Sequence, residues 1–333
     1  MKNKIQINKS TIITVILIVF VLAAVFVRVP YQVEMPGGTI NLESRIIVDG
    51  EEQKVSGSFN MAYVSVVQRN LIYTLIGLIH PDWEVEKISD VTFENETIED
   101  SNRRDKLYLE QSKDYAIATA LKAANIPYEM VNLENNIVYI APEAKTDLKV
   151  GDILLECNGK KVESAEEIKA LVDTLDYGTK MNFKVLRDKK EINATGEVVN
   201  IDDQHYIGIS VTTTFDIKSE LNIEIKSKDS EAGPSGGMMM ALMTYNAITK
   251  QDLTHGKKIV GTGTISLDGT VGEIGGIKYK VMGAARDKAD VFLVPKDNYE
   301  DAIKVKEEKK YKLEIVKVET LQDAINYLEN LDD

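Results

Sequence analysis

Strands and helices alternate through the last third of the chain, and no other feature narrows the choice of folds so far. KKIVGTGTIS, VFLVP and KLEIVKV read as strands. IKYKVMGAARDKA, NYEDAIKVKEEK and TLQDAINYLENL, between and after them, read as helices. That alternation predicts an α/β fold for this part. One further helix begins oddly. In EAGPSGGMMMALM, Glu231 to Met243, apolar residues run almost without a break after the glycines, and a lone serine, Ser235, stands where turn becomes helix. The methionines there read as core packing and not as a metal or redox site.

Composition removes several classes of function. The chain has 333 residues and is 44% hydrophobic, enough for two domains with real cores. Its formal net charge of -13 opposes nonspecific binding to nucleic acid, so no nucleic-acid partner is expected. A single cysteine, Cys157, cannot form an internal disulfide. Three histidines (His80, His205, His255) do not supply a conventional Cys/His metal site, and His205, His255 and Cys157 read as ordinary structural or surface residues. There is no G-x-x-x-x-G-K-[ST] stretch for ATP, and no metal or cofactor is expected.

The amino-terminal residues carry a separate signal. Lys2, Lys4 and Lys9 precede TIITVILIVFVLAAVFV (Thr11 to Val27), and no acid occurs before Glu34. This predicts one N-terminal transmembrane helix within residues 1–30, with the amino terminus cytoplasmic and the remainder outside the cell. The rival reading is a cleaved signal peptide, against which Arg28, Val29 and Pro30 make no A-x-A-like cleavage site. Residues 31–114 read as a β-rich segment with short strands from Met35 to Gln68, then an apolar helix-like patch, RNLIYTLIGLIHPDWEV. ENETIEDSNRRDK, Glu94 to Lys106, is the most polar stretch and reads as an exposed connection.

Residues 115–200 read as a second unit. NNIVYIAP is a strand, and LKVGDILLECNGKKV is a turn, strand, Asn-Gly turn and strand. SAEEIKALVDTL is a helix with Ser164 and Glu167 placed as a capping box, and MNFKVLRDKKEINATGEV closes with two strands. The order of Gly151-Asp152, Asn158-Gly159, the helix after Ser164 and Arg187 resembles a PDZ domain of the bacterial type found in secreted proteases. The resemblance implies a groove that adds an extended peptide to a sheet edge. The usual Gly-rich carboxylate-binding loop is not evident. A small α+β spacer is the alternative.

In the last third, glycine concentrates at two places: Gly233, Gly236 and Gly237 around Ser235, and Gly272, Gly275 and Gly276 just before Lys278. Glycines beside a helix-leading serine allow close backbone approach and leave amide N–H groups for an oxyanion. The same serine could be an ordinary cap. As a nucleophile it needs a base, and a desolvated lysine can serve. Lys278 opens the next helix, and Lys280, two residues on and on a different face, is its competitor.

GPSGG, followed 43 residues after its serine by Lys278 in GEIGGIKYK, resembles the proteolytic domain of Lon, a Ser-Lys dyad peptidase. GTGTISLDGTVGEIGG and DVFLVPKDN match the family's segments before and after its lysine. The resemblance covers about residues 205–320 and extends to the membrane-anchored PDZ/Lon-like peptidases of Gram-positive bacteria. It implies a Lon-like proteolytic domain over residues 205–333; the strand pattern of Val55 to Gln68 and its place after the apolar run predict that this segment completes the domain's sheet, with the PDZ-like unit inserted in between. The resemblance further implies Ser235 as nucleophile, Lys278 as general base, Thr262 orienting the lysine, and amides near Ser235 and Gly236 holding the oxyanion. Lon usually carries an acid three residues before the serine, where this chain has Ala232. The implied function is a membrane-tethered, ATP-independent serine endopeptidase acting on extracellular peptides or membrane-associated proteins, with the oligomeric state open. The alternative is an inactive peptide-binding scaffold.

Overall fold

The computed structural model describes residues 8–331, so Lys2 and Lys4 of the expected cytoplasmic tail lie outside the described residues. The chain divides into two compact units, residues 1–36 with 64–92 and residues 37–63 with 93–333. Strands β1 (Tyr31–Asn41) and β2 (Ser58–Gln68) each run from one unit into the other.

In the first unit, α1 spans Lys9–Phe26, with the Asn8 carboxamide accepting from Thr11 N at 2.8 Å. Its 18 residues extend about 27 Å at about 1.5 Å per residue, short of a hydrocarbon core about 30 Å thick, and its first turn holds the polar Lys9, Ser10 and Thr11. No helix among the described residues is long and apolar enough to cross a membrane. The expected N-terminal transmembrane helix and the single-pass location built on it are corrected accordingly. The apolar patch after Arg69 forms α2 (Leu71–Gly77), capped by Asn70. Tyr31 to Glu34 of β1 pairs antiparallel with β3 (Glu84–Lys87).

The second unit is built on two sheets. The first has the order β11-β10-β9-β2-β1, where β9 is Lys258–Gly261, β10 is Val291–Pro295 and β11 is Glu314–Val318. Neighbours from β11 to β2 are parallel, and Lys258 faces Ser58 in the register that joins β9 to β2. A parallel sheet needs cover on both faces, and its strands alternate between two cores. Ile259, Val291 and Leu293 point into one core with α3 (Ile98–Ala123), α5 (Gly237–Thr249) and α8 (Leu321–Glu329). Val260, Phe292 and Val294 point into the other with α6 (Ile277–Arg286) and α7 (Tyr299–Lys309). Met238 to Met243 are buried all round, because α5 is enclosed on every side.

The second sheet has the order β8-β4-β5-β6-β7, formed by β4 (Tyr128–Ile140), β5 (Ile153–Cys157), β6 (Lys180–Arg187), β7 (Lys190–Glu197) and β8 (Ile209–Ser219), with Lys145–Thr146 beyond β7. Helix α4 (Ala165–Val172) begins at Ser164, whose hydroxyl accepts from Glu167 N. Ile137, Leu154, Ile168, Phe183 and Val185 give this unit its own core. Buried Asp152 pairs with Arg187 through two 2.6 Å hydrogen bonds, so the Gly-Asp turn and the strand arginine of the sequence form one ion pair.

Helix α3 differs from expectation. The polar stretch Glu94 to Lys106 is not simply a connection: Thr97 caps α3, and Arg104 is buried against Glu96 and the Phe93 ring. The expected boundary at Tyr115 falls inside this helix, whose Ala116, Ile117 and Leu121 pack with the methionines of α5. The segment from Ile209 to Ser219, expected with the last domain, lies in the second sheet beside β4.

Candidate active site

Ser235 sits in a tight turn immediately before α5. Gly237 N donates to Pro234 O at 3.1 Å, and Gly236, in the helical region at φ −93°, is the N-cap residue. No side chain caps α5, so Ser235 is not spent as an ordinary cap. The turn is held from two directions. From the sheet side, Gly263 N and Thr262 Oγ1 both donate to Ser235 O, at 2.8 and 2.9 Å. From α3, Ser112 Oγ donates to Pro234 O at 3.1 Å, and Asp105 O accepts from Gly233 N at 2.8 Å. Gly233 has φ +87°, a left-handed conformation that favours glycine. Glu231 forms an ion pair with Arg45 and also accepts from Lys228 N, which closes the loop ahead of the turn.

Thr262 follows β9, where Gly261 brings the strand against Met239. Its buried hydroxyl accepts a hydrogen bond from Lys280 Nζ at 3.1 Å while donating to Ser235 O. Lys280 is 3% exposed. Helix α6 starts at Ile277 because Gly276 takes a left-handed φ of +67°, which ends the preceding turn and fixes the helix phase. In that phase Lys280 turns inward. Lys278, two residues earlier and about 200° away around the helix, is partly exposed with its ammonium 5.3 Å from the Tyr279 ring. The structure therefore brings Ser235, Gly236, Thr262 and Lys280 together, and it does not join Lys278 to them. The competitor named from sequence occupies the position expected of Lys278.

A second concave feature lies in the other sheet. A cavity of about 170 Å³ is lined by Ile168, Lys169 and Val172 of α4 and by Tyr206, Ile209 and Val211 opposite. Ile209 and Val211 belong to β8, at the end of its sheet.

Comparison with known proteins relates two parts of the chain to known families. Residues 208–329 match the Lon protease C-terminal proteolytic domain. This part of the chain is similar to the proteolytic domain of Lon-type serine endopeptidases. Residues 127–198 match the PDZ domain. Lon protease 2 of Borreliella burgdorferi is 26% identical over 215 residues, covering 60% of this chain and 25% of that protein. The Lon protease of Clostridioides difficile is 32% identical over 157 residues, covering 44% of this chain and 20% of its own length. That of Clostridium beijerinckii is 41% identical over 93 residues, 28% of this chain and 11% of that protein. The chain thus spans a quarter or less of the length of these relatives. The Lon-type match contains the serine turn, Thr262 and both lysines.

Proposed function

We propose that the chain is an ATP-independent endopeptidase that cleaves peptides and protein segments already extended or flexible, with Ser235 as nucleophile and Lys280, in place of Lys278, as general base. The observation that carries this reading is the continuous hydrogen-bonded path from Lys280 Nζ through the Thr262 hydroxyl to the Ser235 carbonyl. Burial acts against the charged form of a lysine, and a neutral amine can take the serine proton. Ser235 Oγ then attacks the peptide carbonyl, and the N–H groups of Ser235 and Gly236 hold the oxyanion. Lys280 returns the proton to the leaving amine, and water, deprotonated by the same lysine, releases the acyl group from Ser235. Thr262 keeps Lys280 and the serine turn in a fixed relation. ATP independence is part of this proposal, and the 333 residues themselves carry no phosphate-binding G-x-x-x-x-G-K-[ST] loop. The groove between α4 and β8 suits an extended substrate segment adding beside β8, which would deliver flexible chains without an unfolding step.

The test is cleavage of a pool of unstructured peptides by the purified protein, with and without ATP, alongside Ser235→Ala. The reading expects cleavage that ATP does not change and that Ser235→Ala abolishes with the fold intact. A parent that cuts nothing and resists serine-directed acylating probes would instead support a peptide-binding scaffold acting through the groove.

A further inference from the structure

The serine turn holds two consecutive peptide planes whose carbonyls are both engaged. In a trans peptide the C=O and the N–H of the next residue point in opposite directions. The Pro234 carbonyl therefore sets the direction of the Ser235 N–H, and the Ser235 carbonyl sets that of the Gly236 N–H. Pro234 O accepts from Ser112 Oγ and Gly237 N, both at 3.1 Å. Ser235 O accepts from Thr262 Oγ1 and Gly263 N. Among the described residues, neither the Ser235 nor the Gly236 N–H enters a hydrogen bond, so both donors remain available on the side facing away from these anchors.

Two of the four anchoring donors are side chains. Thr262 also bonds to Lys280, so its loss would disturb base and turn together. Ser112 has no such second role. A serine inside a helix ordinarily bonds back to a carbonyl three or four residues earlier, as Thr119 of the same helix does to Tyr115 O at 2.7 Å. Ser112 bonds outside its helix, to Pro234, although it lies in the middle of α3 and is buried. The two segments are tightly apposed there: a Cβ on Gly237 would lie 2.5 Å from Ser112 Oγ. Asp105, two turns earlier on the same face, fixes Gly233 through its carbonyl.

We propose that Ser112 is a positioning residue for the reaction, one that aims the Ser235 N–H at the oxyanion by holding the Pro234 carbonyl from behind. The inference rests on the catalytic reading of Ser235 above and assigns to α3, outside the Lon-type match, a part in the chemistry. An oxyanion donor acts in the transition state more than on bound substrate, so its misdirection lowers kcat and leaves KM nearly unchanged.

The test uses the full chain with Ser112→Ala and Ser112→Cys, read by steady-state cleavage of one peptide, by inhibition with a matching peptide boronate that forms a tetrahedral adduct on serine, and by thermal melting. Loss of a whole oxyanion donor lowers kcat by about 100- to 1000-fold, and misdirection of one should lower it by about 10-fold or more. Ser112→Ala is expected to show that fall with KM within about twofold, boronate affinity weakened in parallel, and an unmoved pH profile, because Lys280 is untouched. Ser112→Cys, a weak donor of similar size, should fall between parent and alanine. Parent-like kcat and boronate affinity in Ser112→Ala would overturn the inference alone. So would a fall in activity explained by a raised KM or by melting, with the boronate binding as tightly as to the parent. A parent that neither cleaves peptide nor binds the boronate would overturn the catalytic reading itself, and this inference with it.

Discussion

Asp114 of α3 accepts a hydrogen bond from Phe215 N at 3.1 Å, at the point where β8 loses register with β4 between Thr214 and Asp216. The bulged amide has left the strand ladder and the carboxyl receives it. Burial pushes the Asp114 carboxyl up to about 6, aided by the nearby Glu110 and Asp216 carboxylates and opposed by the Phe215 amide and Lys113. A group whose pKa is higher in the folded chain binds protons more readily there. Its contribution to stability is therefore fully present below the unfolded value, about 3.9, and is lost as pH rises through about 6. A rise of about 2 units corresponds to at most about 3 kcal/mol, and solvent screening of this partly exposed group reduces that to about 1–2 kcal/mol. Asp114→Asn retains a carbonyl to accept from Phe215 and removes the charge. Urea unfolding of parent and variant at pH 4 and pH 8 should give nearly equal stabilities at pH 4 and a variant about 1–2 kcal/mol more stable at pH 8. A variant equally stable at both pH values, or less stable at pH 8, would refute the reasoning.

Other outcomes follow from the serine turn. Gly237→Ala places a Cβ 2.5 Å from Ser112 Oγ and 2.8 Å from Ile265 Cγ2, and overpacking of that kind should lower stability by about 1–3 kcal/mol in calorimetry. Gly236→Ala meets chiefly the thioether of Met61, a side chain able to shift, and should be much milder. Gly276→Ala forces a left-handed φ on alanine at the start of α6 and should lower stability by about 1–2 kcal/mol, with lost activity as the phase of Lys280 is disturbed. With a lysine as base, kcat should rise with pH as that amine loses its proton, and a flat profile through neutral and alkaline pH would contradict the role.

Much of the α/β part was legible because its strands are short apolar runs separated by amphipathic helices, which burial on both faces of a parallel sheet requires. The serine turn was legible because Gly233, Gly236 and Gly237 bracket one hydroxyl. The proposed base was harder to read. Lys278 and Lys280 share one helix, and the one that faces Thr262 depends on the phase set at Gly276 and on packing against β9, which spacing alone does not report. Helix α3 was obscured for a related reason. Its first turns are charged, and Arg104 is buried only because Glu96 and Phe93 meet it, so a polar run concealed a structural helix. The amino-terminal apolar run gave the opposite error, since its hydropathy suggested a span that the length and polar start of α1 do not provide.

The most direct test of the account compares Lys280→Met with Lys278→Met in peptide cleavage, with Ser235→Ala as the inactive reference and thermal melting to confirm folding. The account predicts that Lys280→Met falls to the Ser235→Ala level, a loss of about 1000-fold or more, while Lys278→Met stays within a few-fold of the parent. Full activity in Lys280→Met, or loss confined to Lys278→Met, would contradict it.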